Sequence, residues 1–137
     1  MDVDLEQLVE HAKQARLRAY APYSKFSVGS ALLDDAGTIH YGCNVENGSY
    51  GATICAERTA IIRAIADEVS PKQFQALAIV ADTLGFCPPC GLCRQVMLEL
   101  CPPQMPVIMS NLQGETKLTT VHALLPDAFV FERNDES

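Results

Sequence analysis

Residues 76–81 restrict the fold of this chain more than any other stretch. They read Ala-Leu-Ala-Ile-Val-Ala, with no polar residue to mark a solvent-facing side. A continuous apolar run of this length is typical of a strand buried on both faces, as in parallel sheets. Such a strand needs helices above and below it, so the run predicts an α/β fold.

Periodic patterns on either side of this run supply the other layers. Apolar residues recur at helical spacing in some segments and alternate or cluster like strands in others. The predicted helices cover residues 4–20, 54–68, 91–101 and 121–125, and the further strands cover residues 27–34, 38–45, 107–109 and 116–119. This order predicts a three-layer α/β/α arrangement with a mixed central sheet of about five strands. Turn residues at 34–37 make the first two strands an antiparallel hairpin.

Single residues within these elements carry further expectations. Neither a linker nor a repeat interrupts the pattern, which predicts one domain over residues 1–137. Pro22 is expected to stop the first helix, and Thr53 is expected to cap the second. His11 and His40 are interpreted as solvent-exposed side chains.

Composition and charge narrow the function. Hydrophobic residues make up 48% of the chain and charged residues 20%, which favours a packed domain over a disordered segment. The net charge is −7, and without a Lys/Arg run this argues against nucleic acid as a partner. The acidic N-terminus and the lack of a long apolar segment argue against a signal peptide and a membrane span. We therefore expect a cytoplasmic protein with reduced thiols that acts on a small neutral molecule.

Three cysteines fall in the first turns of two predicted helices. Cys55 begins one helix, and Cys90 and Cys93 begin the next at a Cys-x-x-Cys spacing. Both helices follow strands, so both first turns are expected at the carboxyl edge of the sheet. Positive helix N-termini favour thiolates, and three thiolates can hold a zinc ion that keeps one position open for water. The pattern predicts one Zn²⁺ per subunit, bound by these three sulfurs.

Charged side chains beside the cysteines indicate hydrolytic chemistry. Glu57 lies two residues from Cys55 on the same helix, which places its carboxylate beside the ion and not on it. There it can take a proton from water and return it to a substrate nitrogen. Zinc with three thiolates carries a net negative charge, which positive neighbours can offset. Arg58 is therefore expected to hydrogen-bond the sulfurs, while Arg94 either does the same or supports the structure.

Two other interpretations of the cysteines stay open at this point. A Cys-x-x-Cys pair can undergo thiol oxidation, although that chemistry leaves no role for Glu57. A structural zinc site usually has four protein ligands, and Cys87 could supply the fourth. Pro88 and Pro89 stiffen the loop between Cys87 and Cys90, which makes such a return of the chain difficult.

The segments around Cys55, Glu57, Cys90 and Cys93 resemble those of the small cytidine deaminases, a family with a zinc site and a non-ligating glutamate. The resemblance covers most of the chain. It runs through PYSKFSVG at 22–29, NVEN at 44–47, CAERTA at 55–60, PCGLCRQ at 89–95 and LLPDAF at 124–129. It implies hydrolytic deamination of free cytidine and deoxycytidine to uridine and deoxyuridine plus ammonia, as in pyrimidine salvage. Zinc-bound hydroxide would be the nucleophile, and Glu57 the proton shuttle.

The resemblance also implies roles in substrate binding. Asn44 and Glu46 correspond to the pair that holds a ribose hydroxyl, which suits an amide and a carboxylate two residues apart. Phe26 corresponds to the aromatic side chain that packs on the pyrimidine. Tyr50 lies in the nucleoside-binding loop, and Ala56 offers its backbone to the base. Without the resemblance, turn polarity explains the first pair equally well.

Phe129 resembles the aromatic side chain that reaches into the active site of a neighbouring subunit, although a C-terminal core residue has the same pattern. The family accordingly implies a homotetramer with active sites shared between subunits. A deaminase of nucleoside-like antibiotics such as blasticidin S is the nearest alternative, but those relatives lack the Asn44-x-Glu46 pair. An enzyme that edits nucleic acid is disfavoured by the net charge.

Overall fold

The computed structural model describes residues 4–49, 52–83 and 91–127. Within these residues, helices and strands follow one another in the order that the sequence predicts. They are α1 (Leu5–Arg16), β1 (Val28–Asp34), β2 (Ile39–Cys43), α2 (Ala56–Ala66), β3 (Phe74–Ala81), α3 (Gly91–Leu100), β4 (Pro106–Asn111), β5 (Thr116–Thr120) and α4 (Val121–Leu124). A short 3-10 turn, Pro71–Gln73, precedes β3. None of the helices in the described part of the chain is long and apolar enough to span a bilayer.

The strands form one sheet in the order β2-β1-β3-β4-β5. β1 is antiparallel to both β2 and β3, β3 and β4 are parallel, and β5 returns antiparallel to β4. The predicted mixed sheet that begins with an antiparallel hairpin is therefore confirmed. Since β2, β3 and β4 run in the same direction, their carboxyl ends share one edge of the sheet. α2 and α3 are the helices that follow β2 and β3 in the chain.

β3 is covered on both faces, as its continuous apolar sequence predicts. Ala78 and Val80 pack on one face with Leu8 and Val9 of α1. The alternate side chains face a second cluster built by the other three helices. That cluster includes Leu77 and Ile79 of β3, Ala60, Ile61 and Ala64 of α2, Met97 of α3, and Val121 and Leu124 of α4. Each fully buried Leu or Ile side chain contributes about 1.5–3 kcal/mol, so β3 fixes the helices to the sheet.

The first helix ends earlier than the sequence predicts. Asp4 caps its start by accepting a hydrogen bond from the backbone N–H of Gln7 at 3.0 Å. The helix stops at Arg16, and the next residues form a tighter turn. Tyr20 then pairs with the segment after β2, where its N–H donates to the Asn44 carbonyl at 2.9 Å. This pairing draws the chain out of the helix before Pro22, so Pro22 is not the residue that stops it.

The prediction that His40 is exposed is wrong. His40 is 6% exposed on β2, and its Nε2 lies 2.9 Å from Oδ2 of the equally buried Asp34. The other carboxylate oxygen of Asp34 accepts hydrogen bonds from the backbone N–H groups of Ala36 and Thr38. Burial raises the pKa of Asp34, but the hydrogen bonds from His40, Thr38 and Ala36 outweigh it and leave the pKa below its ordinary value. The pair therefore fastens the β1–β2 hairpin at its turn.

His11 is likewise not the solvated side chain that the sequence predicts. It is half-buried on α1, and its Nδ1 lies 2.6 Å from the hydroxyl group of Tyr41 on β2. Arg18 covers the Tyr41 ring at 5.5 Å from the ring centroid, a cation–π distance. These contacts join the end of α1 to the edge strand.

Candidate active site

The site is built where the segment after β2 enters α2. Cys55 is the N-cap of this helix, with an extended backbone at φ −75° and ψ 158°. The prediction that Thr53 caps the helix is therefore wrong by two residues. Thr53 instead accepts a hydrogen bond from the Asn47 N–H through its hydroxyl group at 3.1 Å. The helix begins two residues later than predicted, and Ala56 and Glu57 lie in its first turn, directly after the Cys55 thiol.

Two thiols and a carboxylate converge at this helix start. The ligand atoms of Cys55, Glu57 and Cys93 all lie within 4.8 Å of one another. Cys93 comes from the first turn of α3, which confirms that the two helix starts meet at one edge of the sheet. Cys93 is fully buried and Glu57 is 4% exposed. Cys90, the third predicted sulfur ligand, lies outside the described residues.

The donor set fits a zinc ion. Zinc accepts thiolate and carboxylate ligands, and thiolates favour it over magnesium or calcium. The partial positive charge at the start of α2 favours the thiolate form of Cys55. The Glu57 carboxylate belongs to the same group of atoms and lies close to both sulfurs.

Arg58 turns back toward the sulfurs from the first turn of α2. Its Nη2 lies 3.8 Å from Cys55 Sγ and donates to the Thr53 carbonyl at 3.1 Å. Burial lowers the pKa of Arg58, but its interactions with Cys55 and Cys93 outweigh burial and raise the pKa above its ordinary value. Its Nε is buried with no hydrogen-bond partner in the described part of the chain. A guanidinium held in this way offsets the negative charge of thiolates.

Glu57 has the protonation behaviour of an acid–base group. Burial is the main cause that raises its pKa to about 7, with Cys55 acting in the same direction, while its backbone hydrogen bond, Arg58 and Cys93 act to lower the pKa. A carboxyl group with a pKa near neutrality exists in both forms and can accept and donate a proton within one reaction cycle. Such tuned carboxyl groups are concentrated at functional sites.

Arg94 makes a contact that supports the structure. Its Nη1 donates to the Leu124 carbonyl of α4 at 3.0 Å. This contact ties α3, which carries Cys93, to the last described helix. Arg94 therefore supports the position of the helix that bears a site cysteine.

The two residues predicted to hold a sugar also fasten the segment that carries Phe26. The buried side chain of Asn44 accepts from the Val28 N–H and donates to the Phe26 carbonyl, both at 2.8 Å. Glu46 Oε1 accepts from the N–H groups of Tyr23 and Ser24 at 2.9 and 3.1 Å. Asn44, Glu46 and Phe26 are thus neighbours in the fold.

Ser24 is a site residue that the sequence reading missed. Its hydroxyl group donates to Glu46 Oε2 and accepts from the Phe26 N–H at 3.0 Å. The hydroxyl of Ser24 is the main reason that the pKa of Glu46 falls below its ordinary value, followed by its backbone N–H. Lys25, between Ser24 and Phe26, adopts a left-handed backbone at φ 60°. The serine in the PYSKF string was the available signal, but only the fold shows its partner.

The other residues predicted to contact the substrate differ in their exposure to solvent. Phe26 is 41% exposed, so its ring is open to a ligand. Ala56 is fully buried, and its carbonyl accepts a hydrogen bond from the Ser30 hydroxyl at 2.7 Å. Tyr50 and Phe129 lie outside the described residues.

The fold and the site together define a class of protein. A mixed sheet between helices presents two thiols and a buried carboxyl group at the starts of two helices. This arrangement is that of a zinc-dependent hydrolase, in which the metal supplies Lewis acidity and the carboxyl group carries protons.

Comparison with known proteins places the chain more narrowly. Residues 2–109 match the family described as the cytidine and deoxycytidylate deaminase zinc-binding region. A cytidine deaminase from Sporosarcina psychrophila is 54% identical over 127 residues, covering 93% of this chain and 92% of that protein. One from Halalkalibacterium halodurans is 50% identical over 130 residues, covering 95% and 97%. The crystal structure of the cytidine deaminase from Burkholderia pseudomallei matches with a TM-score of 0.91 and 50% identity, covering 93% of this chain and all of that one.

The chain belongs to the cytidine and deoxycytidylate deaminase family. The resemblance seen in the sequence is thereby confirmed, and zinc is the cofactor of this family's site. The thiol oxidation interpretation of the Cys-x-x-Cys pair loses its support.

Proposed function

We propose that this protein deaminates free cytidine and deoxycytidine by hydrolysis, giving uridine or deoxyuridine and ammonia. The observation that carries the proposal is the buried Glu57 carboxyl group, which lies within 4.8 Å of the sulfurs of Cys55 and Cys93. The names of the relatives at 54% and 50% identity support the choice of substrate.

Cys55, Cys90 and Cys93 would hold one zinc ion per subunit. When bound, zinc supplies the Lewis acidity that makes a water molecule a nucleophile near neutral pH. Arg58 stands 3.8 Å from the Cys55 sulfur, where its positive charge reduces the excess negative charge of a three-thiolate site.

Glu57 would carry the protons of the reaction. It would take one proton from the attacking water and deliver it to the ring nitrogen of the pyrimidine. It would then take the remaining proton of the added hydroxyl group, so that the C=O bond forms, and give it to the amine, which leaves as ammonia. A pKa of about 7 lets one carboxyl group act as base and then as acid. General acid–base help of this kind is worth about 10²–10⁴ in rate.

Asn44 and Glu46 would bind the sugar while they hold the Phe26 segment. A carboxylate offers about four acceptor positions, and the described contacts of Glu46 are the two N–H groups and one hydroxyl group of Tyr23 and Ser24. Acceptor capacity therefore remains for a ribose hydroxyl. The exposed ring of Phe26 would pack on the pyrimidine beside it. The pair Asn44 and Glu46 favours a nucleoside substrate over nucleoside-like antibiotics.

The proposal extends to the assembly and its setting. Active sites would be shared in a homotetramer, with Tyr50 in the nucleoside-binding loop and Phe129 entering a neighbouring site. Ile62 and Ile65 of α2 are 52% and 38% exposed, which supports contacts between subunits on that helix. The chain would work as one domain over residues 1–137 in the cytoplasm, without a membrane or nucleic-acid partner.

The direct test is the fall in ultraviolet absorbance when the purified protein is mixed with cytidine or deoxycytidine. We expect turnover of both nucleosides, loss of turnover after chelation, and recovery on adding zinc. Preferential turnover of deoxycytidylate or blasticidin S would contradict the free-nucleoside assignment. No turnover by the zinc-loaded protein would contradict the enzymatic proposal and favour a structural zinc site.

A further inference from the structure

The first turn of α2 carries the site residues and packs directly on the sheet. The residues beneath are Ser30 of β1 and Gly42 of β2, which are direct partners in the antiparallel register. Partners in such a register point to the same face of a sheet. We call this residue pair the α2 seat.

Ser30 holds the helix down. Its side chain is fully buried, and its hydroxyl group donates to the Ala56 carbonyl at 2.7 Å. Ala56 stands between Cys55 and Glu57 in the chain. The hydrogen bond thus connects the residue between Cys55 and Glu57 to β1.

Gly42 lets the helix come close. A Cβ atom at this position would lie 2.2 Å from the Ala56 carbonyl oxygen and 2.5 Å from the Ala60 nitrogen, both backbone atoms of α2. Ordinary contacts of a Cβ atom begin at 3.4 Å. Any larger residue would therefore push the first turn of α2 outward by about 1 Å, and a misplacement of that size can cost roughly a hundredfold in rate.

We propose that Ser30 and Gly42 are positioning residues that set the height of Cys55 and Glu57 above the sheet. Cys93 comes from α3, so lifting α2 changes the distance between the two halves of the metal site. The seat acts through Ala56 and does not itself touch the metal or the substrate. The inference rests on the proposed function for its kinetic consequence, but not for its effect on metal binding.

Gly29 offers a matched control. A Cβ atom there would lie 2.1 Å from the Ala12 carbonyl oxygen and 2.4 Å from the Arg16 nitrogen. The clash is of the same kind and size as at Gly42, but it displaces α1, which carries none of the predicted site residues. Gly29→Ala therefore reproduces the packing damage without lifting the catalytic helix.

The experiment compares Gly42→Ala and Gly29→Ala as purified, zinc-loaded proteins. Three quantities are measured: thermal stability, the zinc dissociation constant by chelator competition, and kcat and KM for cytidine. We expect both variants to lose stability. Only Gly42→Ala should weaken zinc binding, by about 10–100-fold as for other supports of metal ligands, and lower kcat by at least tenfold. The absorption bands of the cobalt-substituted protein should shift in that variant alone.

A folded Gly42→Ala protein with normal zinc affinity and kcat would overturn the proposal, as would equal losses in the two variants. If Gly42→Ala yields no folded protein, Ser30→Ala decides. Its zinc affinity should fall by about two- to tenfold, the usual contribution of one hydrogen bond, and an unchanged affinity would overturn the seat. If the wild-type protein does not deaminate cytidine, the proposed function is wrong. The zinc affinity and the cobalt spectrum of the variants still test whether Ser30 and Gly42 position the metal site.

Discussion

Asp34→Asn is expected to destabilise the protein at neutral pH and to cost progressively less in acid. The Asp34 carboxylate lies 2.9 Å from His40 Nε2 and accepts from the backbone N–H groups of Ala36 and Thr38 at 2.9 and 3.0 Å. The asparagine has the same shape and keeps one oxygen for the two N–H groups, but an amide NH2 replaces the oxygen that faces His40. The change therefore removes the negative charge and the charged acceptor opposite His40.

The magnitude follows from the hydrogen bonds that this charge strengthens. Hydrogen bonds to charged groups contribute about 1.5–3 kcal/mol, against about 1 kcal/mol for neutral ones. Because Asp34 and His40 are both buried, solvent screens the pair little. We therefore expect Asp34→Asn to lower the free energy of unfolding by about 2 kcal/mol at pH 7. In a chain of this size that corresponds to roughly 6–10 °C in melting temperature.

The pH dependence has a definite sign. The pKa of Asp34 is lowered in the folded protein, so its stabilising contribution is complete above the unfolded-state pKa of about 3.9. The contribution is lost as the pH falls below that value and through the folded-state pKa. The difference between wild type and Asp34→Asn should thus stay constant from pH 7 to about pH 4.5 and narrow below pH 4.

Urea denaturation at one protein concentration and several pH values measures this difference. Asp35→Asn is the matched control, since Asp35 is exposed in the same turn and contacts only the Gln73 amide through its side chain among the described residues, at 3.3 Å. Its cost should be within about 0.5 kcal/mol. If the cost of Asp34→Asn stays the same down to pH 3, or if both variants cost the same, the Asp34 charge does not stabilise the fold through His40 and the two N–H groups.

Two further predictions concern the site. Cys93→Ser should leave less than about a tenth of the zinc per chain, because a thiolate ligand is lost. Metal analysis measures the zinc content, with Cys43→Ser as the control. Full zinc content in Cys93→Ser would remove Cys93 from the ligand set. Glu46→Gln should raise KM for cytidine by about 10–100-fold, the loss expected when a charged hydrogen-bond acceptor becomes neutral. Glu10→Gln, on an exposed face of α1, is its control, and an unchanged KM in Glu46→Gln would contradict sugar binding.

The architecture was readable from the sequence because its determinants are local. The apolar run in β3 requires cover on both faces, and in each neighbouring segment the apolar residues recur at the spacing of a helix or a strand. Boundaries were less accurate where tertiary pairing decides them. α1 ends at Arg16 because Tyr20 pairs with the chain near Asn44, a contact between residues far apart in sequence.

The convergence of Cys55, Glu57 and Cys93 followed from the sequence for a similar reason. Each lies in the first turn of a helix that follows a strand, and parallel strands bring those turns to one edge. The raised pKa of Glu57 could not be read in the same way, because it depends on burial, a property of the folded chain.

Partners of polar residues were the part that the sequence could not supply. The alternation of polar and apolar residues on β2 predicts that His40 points to solvent. Nothing in the local sequence shows that Asp34 lies opposite it on the hairpin. Ser24 and Ser30 carry no pattern of their own, and their importance comes from contacts with Glu46 and Ala56 across the fold. Such contacts depend on the register between elements, which single-sequence periodicity does not contain.

Glu57 is expected to carry protons beside a zinc ion in the deamination of cytidine. The most direct measurement is kcat for cytidine of Glu57→Gln, made together with its zinc content, with Glu99→Gln on the exposed side of α3 as the matched control. We expect zinc at the wild-type level, normal kcat in the control, and a loss of at least about a hundredfold in kcat for Glu57→Gln. If Glu57→Gln retains zinc and near-normal kcat, Glu57 does not carry the protons of the reaction.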